Sequence, residues 1–93
     1  DEVYSKDIEQ LKSRFELGEN YIQRDELVIW INAKDNVEVL KFMRDELDYN
    51  FLVEMSAVDF LAKKGGFEIF YELLSLSKRK RIRVKTFIQE NEA

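Results

Sequence analysis

Apolar side chains near the start of the chain recur at a helical spacing. Four of them follow one another at intervals of three or four residues, with mainly charged residues between them: Tyr4, Ile8, Leu11 and Phe15. This spacing places all four on one side of a helix. With Ser5 as its N-cap and Gly18 as its left-handed terminator, the pattern predicts an amphipathic helix over residues 5–17.

A second helical stripe lies in the middle of the chain. Its apolar positions are Val39, Leu40, Met43 and Leu47. Asp35 stands in front of the stripe and Glu38 follows three residues later, which is the sequence of a capping box. The pattern predicts a helix over residues 36–48.

The remaining apolar residues follow β-type patterns. Short runs over 20–24 and 27–31 flank Asp25 and Glu26, and they predict a hairpin whose second strand, apolar on both faces, lies inside a sheet. Apolar and polar residues then alternate from residue 51, over 67–73 and over 81–88. We therefore expect three further strands.

Two local features interrupt the last three strands. Near Asp59 the apolar positions change parity, which predicts a β-bulge, and this carboxylate is expected to be a structural hydrogen-bonding partner in a turn or bulge. Residues 63–66, with two glycines, predict a hairpin connection.

The order is therefore helix, two strands, helix, three strands. Two helices cannot cover both faces of five strands, so we expect a two-layer α+β fold in which both helices lie on one face of a mixed five-stranded sheet. The other face is expected to be partly open. Because the chain has no proline and only three glycines, we find no internal linker and treat residues 1–93 as a single domain.

Composition excludes several kinds of chemistry. The chain has neither cysteine nor histidine, so it has no disulfide, no thiolate nucleophile and no histidine base or metal ligand. No apolar run reaches the roughly 20 residues that cross a bilayer, so we expect no direct membrane insertion. We predict no catalytic, cofactor-binding or metal-binding residues.

Acidic pairs and the single tryptophan are weaker candidates for function. Asp45 with Glu46, and Glu68 with Glu72, could in principle act as paired carboxylates, but each pair is predicted to lie on a solvated face. Trp30 is expected to fill the core, although an aromatic on an open sheet face could also anchor a partner.

Six cations within residues 78–85 stand out in a chain of net charge -4. One interpretation is a solvated turn and half-exposed strand, with cations facing Glu68 and Glu72 across a hairpin. A second is a docking surface for an acidic protein partner. Nucleic-acid binding is a third, but no aromatic residues alternate with the cations and the chain is acidic overall. Candidate interface residues are Lys78, Arg81, Arg83 and Lys85.

Three segments at fixed spacing resemble a known family. NFLVEMSAVDF at 50–60, FEIFYELLSL at 67–76 and RIRVK at 81–85 are similar to the amino-terminal part of the 30 kDa subunit of bacterial NADH-quinone oxidoreductase, which is respiratory complex I. The order of predicted elements also fits that family. The resemblance implies that the chain is part of a longer subunit.

The resemblance also implies a function. It indicates a cofactor-free, non-catalytic subunit of the hydrophilic arm, peripheral on the cytoplasmic side of the bacterial inner membrane. Its partners would be the quinone-site and iron–sulfur subunits of an enzyme that transfers electrons from NADH to quinone, and the cationic strand would form a subunit interface. Two alternatives stay open, namely the equivalent subunit of a related membrane-bound hydrogenase and a free-standing protein-binding module.

Overall fold

One mixed sheet and three helices make up the computed structural model, which describes residues 2–90. The helices are α1 (Ser5–Lys12), α2 (Asn36–Asp45), preceded by a 3-10 turn at Ala33–Asp35, and the one-turn α3 (Leu61–Lys64). The strands are β1 (Leu17–Gln23), β2 (Glu26–Ile31), β3 (Phe51–Phe60), β4 (Gly66–Ser75) and β5 (Lys80–Gln89). The predicted α+β class and element order are confirmed, with α3 as an unpredicted addition. Asp1 and residues 91–93, which the predicted 1–93 unit includes, lie outside the described residues.

The strands lie in the order β1-β2-β5-β4-β3. The pair β2–β5 is parallel, and every other neighbouring pair is antiparallel. This arrangement places β2 inside the sheet, as its apolar sequence predicts. It leaves β1 and β3 as the two edge strands.

A single apolar core fills the space between the helices and one face of the sheet. Because side chains alternate along a strand, β2 and β5 direct Leu27, Ile29, Ile82 and Val84 to the same side, where all four are buried. The helical layer contributes Leu11, Val39, Phe42, Met43 and Leu47. Full burial stabilises each such side chain by about 1.5–3 kcal/mol, so this contact sets the relative position of the layers.

The first helix is shorter than predicted. It ends at Lys12, and Phe15 packs on the core from the turn that follows. The centres of the Phe15 and Phe42 rings are 5.8 Å apart. Gly18 lies within β1 instead of terminating the helix, and a Cβ there would be only 3.1 Å from the Cβ of Trp30. The glycine therefore permits close approach of β1 and β2. Ser5 does not cap the helix either, since its hydroxyl donates to the carbonyl of Glu2.

The second helix also departs from its predicted ends. It stops at Asp45, and within residues 2–90 no side chain caps its first turn, so the predicted capping box of Asp35 and Glu38 is wrong. The chain reaches the first turn through the 3-10 turn instead. That tighter geometry places Asp35 at φ -96°, ψ 3°.

The predicted bulge lies elsewhere in β3, whereas the predicted hairpin connection is present and begins earlier, at Leu61. The register of β3 shifts between Leu52 and Glu54, not near Asp59. Asp59 instead accepts a hydrogen bond from the backbone N–H of Leu61 at 2.8 Å, so its structural role is to start α3. Gly65 ends that turn with φ +76°. Gly66 belongs to β4, where a Cβ would collide with the carbonyl oxygen of Ile88.

A buried carboxylate joins three separate parts of the fold. Asp7 on α1 is 3% exposed and accepts hydrogen bonds from the Tyr49 hydroxyl at 2.7 Å and from Lys78 Nζ at 2.9 Å. The Lys78 ammonium also lies 5.1 Å from the centre of the Tyr49 ring. Burial and the neighbouring Asp7 raise the pKa of Tyr49, so its hydroxyl keeps the proton that it donates. The cluster fixes α1 to the segment after α2 and to the β4–β5 turn.

Removing one donor from this cluster should destabilise the domain. We expect Tyr49→Phe to lower the free energy of unfolding by about 1–2 kcal/mol, because it leaves a buried carboxylate oxygen without that partner. Urea titration followed by circular dichroism measures the loss. Arg44→Gln, which breaks only the exposed pair with Asp45, serves as the control and should not change the unfolding midpoint measurably. Equal midpoints for Tyr49→Phe and the wild type would contradict the structural role of the cluster.

Candidate partner interface

The sheet face opposite the helices carries charges and aromatic rings. Because Ile82 and Val84 point into the core, the residues between and beside them on β5 point away from it, namely Arg81, Arg83 and Lys85. Three of the four predicted interface cations therefore share this surface, which we call the charged face. The sequence predicted only that this face would be partly open.

Arg83 occupies the centre of the charged face. The antiparallel register of β4 and β5 places Glu72 directly opposite it, and the Arg83 Nε donates to Glu72 Oε1 at 2.9 Å. Glu26 on β2 lies on the other side, with its Oε1 3.6 Å from the same nitrogen. The guanidinium also stacks 4.3 Å from the centre of the Phe70 ring. Arg83 is thus held by two carboxylates and an aromatic ring.

Glu72 is buried, although its parity predicted a solvated position. It is 3% exposed because Arg83 and the neighbouring strands cover it. A carboxylate so placed needs a cation, since burial of an unpaired charge is costly. The prediction of a solvated Glu72 is therefore wrong, and the ion pair with Arg83 is part of the packing.

Lys85 and Arg81 differ in how much of each side chain remains available. Lys85 Nζ lies 3.4 Å from Glu68 and 5.5 Å from the centre of the Trp30 ring, and its side chain is largely covered. Arg81 lies 3.9 Å from Glu72, and 56% of its side chain is exposed. Arg81 is therefore the cation on this face that is best placed to meet a partner.

Lys78 lies apart from the other three cations. It is bonded to the buried Asp7 beneath the β4–β5 turn, on the helical side of the sheet. The four predicted interface residues do not form one continuous patch. Their role as a partner interface stays a prediction.

The aromatic residues around the cations were missed at the sequence level because they come from other strands. Phe70 lies opposite Lys85 in the antiparallel pairing, and Trp30 lies beside it in the parallel pairing. Trp30 therefore belongs to the charged face and not to the core, contrary to the first interpretation. Strand order, which a single sequence does not provide, creates this alternation of rings and cations.

Two carboxylates meet beside Arg83. Burial raises the pKa of Glu26, and a hydrogen bond and repulsion from the adjacent Glu72 raise it further, to about 7, while Arg83 and Arg81 oppose the shift. Glu26 therefore holds a proton below neutral pH. The cluster becomes more negative as pH rises through 7.

A second surface lies at the far edge of the sheet. Five large apolar residues of β3 are exposed: Phe51, Leu52, Val53, Met55 and Val58. At its start, β3 forms one wall of a 330 Å³ groove against α2. The groove is lined by Val37, Leu40, Lys41, Arg44, Tyr49, Asn50, Leu52 and Leu73. Leu40, predicted to lie in the core, is half-buried there.

The exposed apolar surface on β3 was also not predicted from the sequence. Its signal was present, because Phe51, Leu52 and Val53 put apolar side chains on both faces of a strand. Such a run is typical of a strand covered on both sides, but the fold places it at an edge. We call this surface the β3 edge.

Other kinds of site find no support in the described part of the chain. Within residues 2–90, no group of three acidic, histidine or cysteine side chains is arranged to hold a metal ion. No described helix is long and apolar enough to cross a membrane. The geometry defines a two-layer α+β domain whose notable surfaces are a charged sheet face and an apolar strand edge, both suited to protein contacts.

Comparison with known proteins identifies the family. Residues 29–93 match the family described as the respiratory-chain NADH dehydrogenase 30 kDa subunit. The chain is 40% identical over 67 residues to a NADH-quinone oxidoreductase subunit of Citrifermentans bemidjiense, and 35% identical over 69 residues to the same subunit of Geotalea uraniireducens. The chain therefore belongs to the 30 kDa subunit family of respiratory-chain NADH dehydrogenase, as its resemblance indicated.

The match covers only part of these relatives. It includes 72% and 74% of this chain but 42% of each relative. Among solved structures, an archaeal respiratory membrane complex, the membrane-bound sulfane sulfur reductase, contains a chain that superposes with a TM-score of 0.78. That match covers 96% of this chain and 53% of the other at 22% identity, and it shows a shared fold.

The raised pKa of Glu26 makes stability depend on pH. In the unfolded chain Glu26 titrates near 4.5, whereas in the folded chain its pKa is about 7. Between these values the folded state binds the extra proton, so the free energy of unfolding should fall as pH rises from about 4.5 to 7. The full shift corresponds to about 3 kcal/mol, and screening by solvent at this partly exposed group reduces the expected loss to about 2 kcal/mol, with little further change above pH 7.

Glu26→Gln isolates the contribution of this residue. Glutamine resembles the protonated acid, so the variant should lack this part of the decline while other groups titrate as before. Urea unfolding of both proteins at pH 5 and pH 8 measures the difference. If both lose the same stability between the two pH values, Glu26 does not titrate in this way.

The two arginines of the charged face should respond differently to substitution. Arg83→Gln leaves the buried Glu72 without its closest cation, and we expect a loss of about 2–3 kcal/mol in the free energy of unfolding. Arg81→Gln removes a longer, exposed contact and should cost less than about 1 kcal/mol. Chemical denaturation at pH 7.5 measures both variants. Equal losses would show that the buried carboxylate does not depend on Arg83.

Proposed function

We propose that this chain is a non-catalytic structural subunit in the hydrophilic arm of a respiratory NADH:quinone oxidoreductase. Family membership supports the complex, and the exposed β3 edge is the observation that supports assembly as its role. Large exposed apolar surfaces often mark protein–protein contacts, and five large apolar side chains are exposed along this one strand. A subunit that meets its neighbours along this edge would help to hold the quinone-site and iron–sulfur subunits, through which electrons pass from NADH to quinone.

The same reasoning gives a location. A peripheral position on the cytoplasmic side of the bacterial inner membrane agrees with the proposed complex. Contacts with partner subunits would then hold the chain in place.

A second candidate is the equivalent subunit of a related membrane complex. The fold shared with a chain of the archaeal membrane-bound sulfane sulfur reductase supports this alternative, because that protein is described as a respiratory membrane complex. Purification of the native complex separates the candidates. The first requires subunits that oxidise NADH and reduce quinone, and the second requires a different set of catalytic subunits.

Arg81 provides the sharper test of the charged face as an interface. If this face meets a subunit, Arg81→Gln should weaken assembly by about 2 kcal/mol or more where its guanidinium faces a buried carboxylate of the partner, while the isolated fold stays intact. Quantitative co-purification through a tag on the chain measures the effect at physiological salt. Lys6→Gln removes an exposed cation from α1 and serves as a matched control.

The result decides between the two interpretations of the cationic strand. Loss of partner subunits with Arg81→Gln but not with Lys6→Gln supports the interface. Normal yields of partner subunits with both variants would mean that the cations have only a structural role. Failure of the wild-type chain to retain any respiratory subunit would refute the proposed function itself.

A further inference from the structure

The two edges of the sheet are built differently. β1 is seven residues long, shifts register between Leu17 and Asn20, and includes a glycine and several polar residues. Bulges, charges and short length all hinder pairing with another strand. β3 is ten residues long and carries five exposed large apolar side chains. β3 also has a register shift near its start and carries Glu54 and Asp59, but it is longer than β1 and far more apolar.

The second half of β3 is a regular template for another strand. From Met55 to Phe60 its pairing with β4 proceeds without interruption, after the shift between Leu52 and Glu54. Among the described strands, β4 is its single neighbour, so the outer side of this stretch presents backbone N–H and C=O groups to the surroundings. Met55 is 63% exposed on the helical side of the sheet, and Val58 is exposed on the opposite side. An added strand would therefore gain apolar contacts on both faces.

Cations lie at both ends of this strand. Lys41 and Arg44 border the groove beside its first residues, and Arg44 forms an exposed ion pair with Asp45, so the excess positive charge lining the groove comes from Lys41. Lys63 and Lys64 follow its last residue on α3. A segment that lies along β3 would meet lysine side chains beyond each end, and mainly apolar side chains, with Glu54 and Asp59, between them.

This charge pattern argues against a second copy as the occupant. An antiparallel pairing of two β3 strands would bring Lys41 and Arg44 of one chain towards Lys63 and Lys64 of the other, at both ends. A parallel pairing would bring each cluster towards its own copy. Like charges oppose each other in either orientation, so a strand with acidic ends fits better.

We propose that the β3 edge receives an extended segment of another subunit, which adds a sixth strand to the sheet. This segment has alternating apolar residues and carries carboxylates at both ends. Backbone hydrogen bonds to residues 55–60 supply its binding, and the apolar side chains and terminal charges select it. The inference rests on the proposed function, because it assigns the place of a contact within the assembled complex.

Amide hydrogen exchange tests strand addition directly. The complex purified through a tag on this chain is compared with the isolated chain by exchange and mass spectrometry. We expect residues 55–60 to exchange at least tenfold more slowly in the complex, because new hydrogen bonds protect their amides. The amides of β1 should slow much less. A complex in which residues 55–60 exchange as fast as in the isolated chain overturns the inference.

Paired substitutions give an independent readout. The double variant Met55→Lys, Val58→Lys places charges on two exposed positions of β3 and should reduce co-purification of partner subunits at least tenfold. Ile22→Lys places a charge on an exposed apolar position of β1 and should not reduce the co-purification of partner subunits. Circular dichroism checks that both variants fold. Undiminished co-purification with the double variant overturns strand addition.

The remaining outcomes separate this inference from the proposed function. Co-purification of respiratory subunits without protection of β3 leaves the proposed function standing and removes only the strand. A complete lack of subunits refutes both. A dimeric isolated chain that already protects residues 55–60 would assign the edge to a second copy.

Carbodiimide coupling of Lys63 and Lys64 should yield cross-links to acidic residues of a partner, and coupling to this chain alone would overturn the assignment.

Discussion

Two short helices have to cover a five-stranded sheet, and the rest of the structure depends on this constraint. α1 has eight residues and α2 has ten, which gives lengths of about 12 Å and 15 Å. Five strands side by side form a sheet roughly 24 Å wide, and a ten-residue strand is about 33 Å long. The helices therefore cover β2, β5 and part of β4. The apolar core is confined to that area, and β3 extends beyond it.

The charged face and the β3 edge, which the helices do not cover, differ in how far their side chains are shielded from water. On the charged face, cations of β5 pair with carboxylates of β2 and β4 and stack on rings, so the surface needs no third layer. Arg83 and Glu72 show this most clearly, because their 2.9 Å contact lets a carboxylate be buried within the domain. The β3 edge has no such internal arrangement. Its exposed apolar residues keep an unfavourable contact with water until another surface covers them.

Much of the fold follows from the periodicity of the sequence. Apolar spacing predicted each long helix and all five strands, and the run 27–31 identified an inner strand. The ends of α1 were less predictable, because Phe15 continues the helical spacing although it packs from a turn. The charged face depends on strand order and register: only the pairing of β4 with β5 brings Glu72 opposite Arg83, and only the parallel β2–β5 pair brings Trp30 beside Lys85. The predicted β4–β5 hairpin already placed the cations opposite Glu68 and Glu72. The contacts with β2 join residues far apart in the sequence, so local patterns could not predict them.

The two surfaces would contribute to assembly in different ways. A partner that separated Arg83 from Glu72 would leave a buried carboxylate uncompensated, at a cost that new contacts at the rim would hardly offset. On the charged face, therefore, exposed groups such as Arg81 would make the contacts with a partner. Such groups mainly affect the orientation of the partner and the rate of association. Covering the β3 edge removes apolar area from water at about 25 cal/mol per Å², without breaking any internal ion pair of that strand. The affinity of this domain for a neighbour should thus come chiefly from its apolar edge, and the selection among neighbours from its cations.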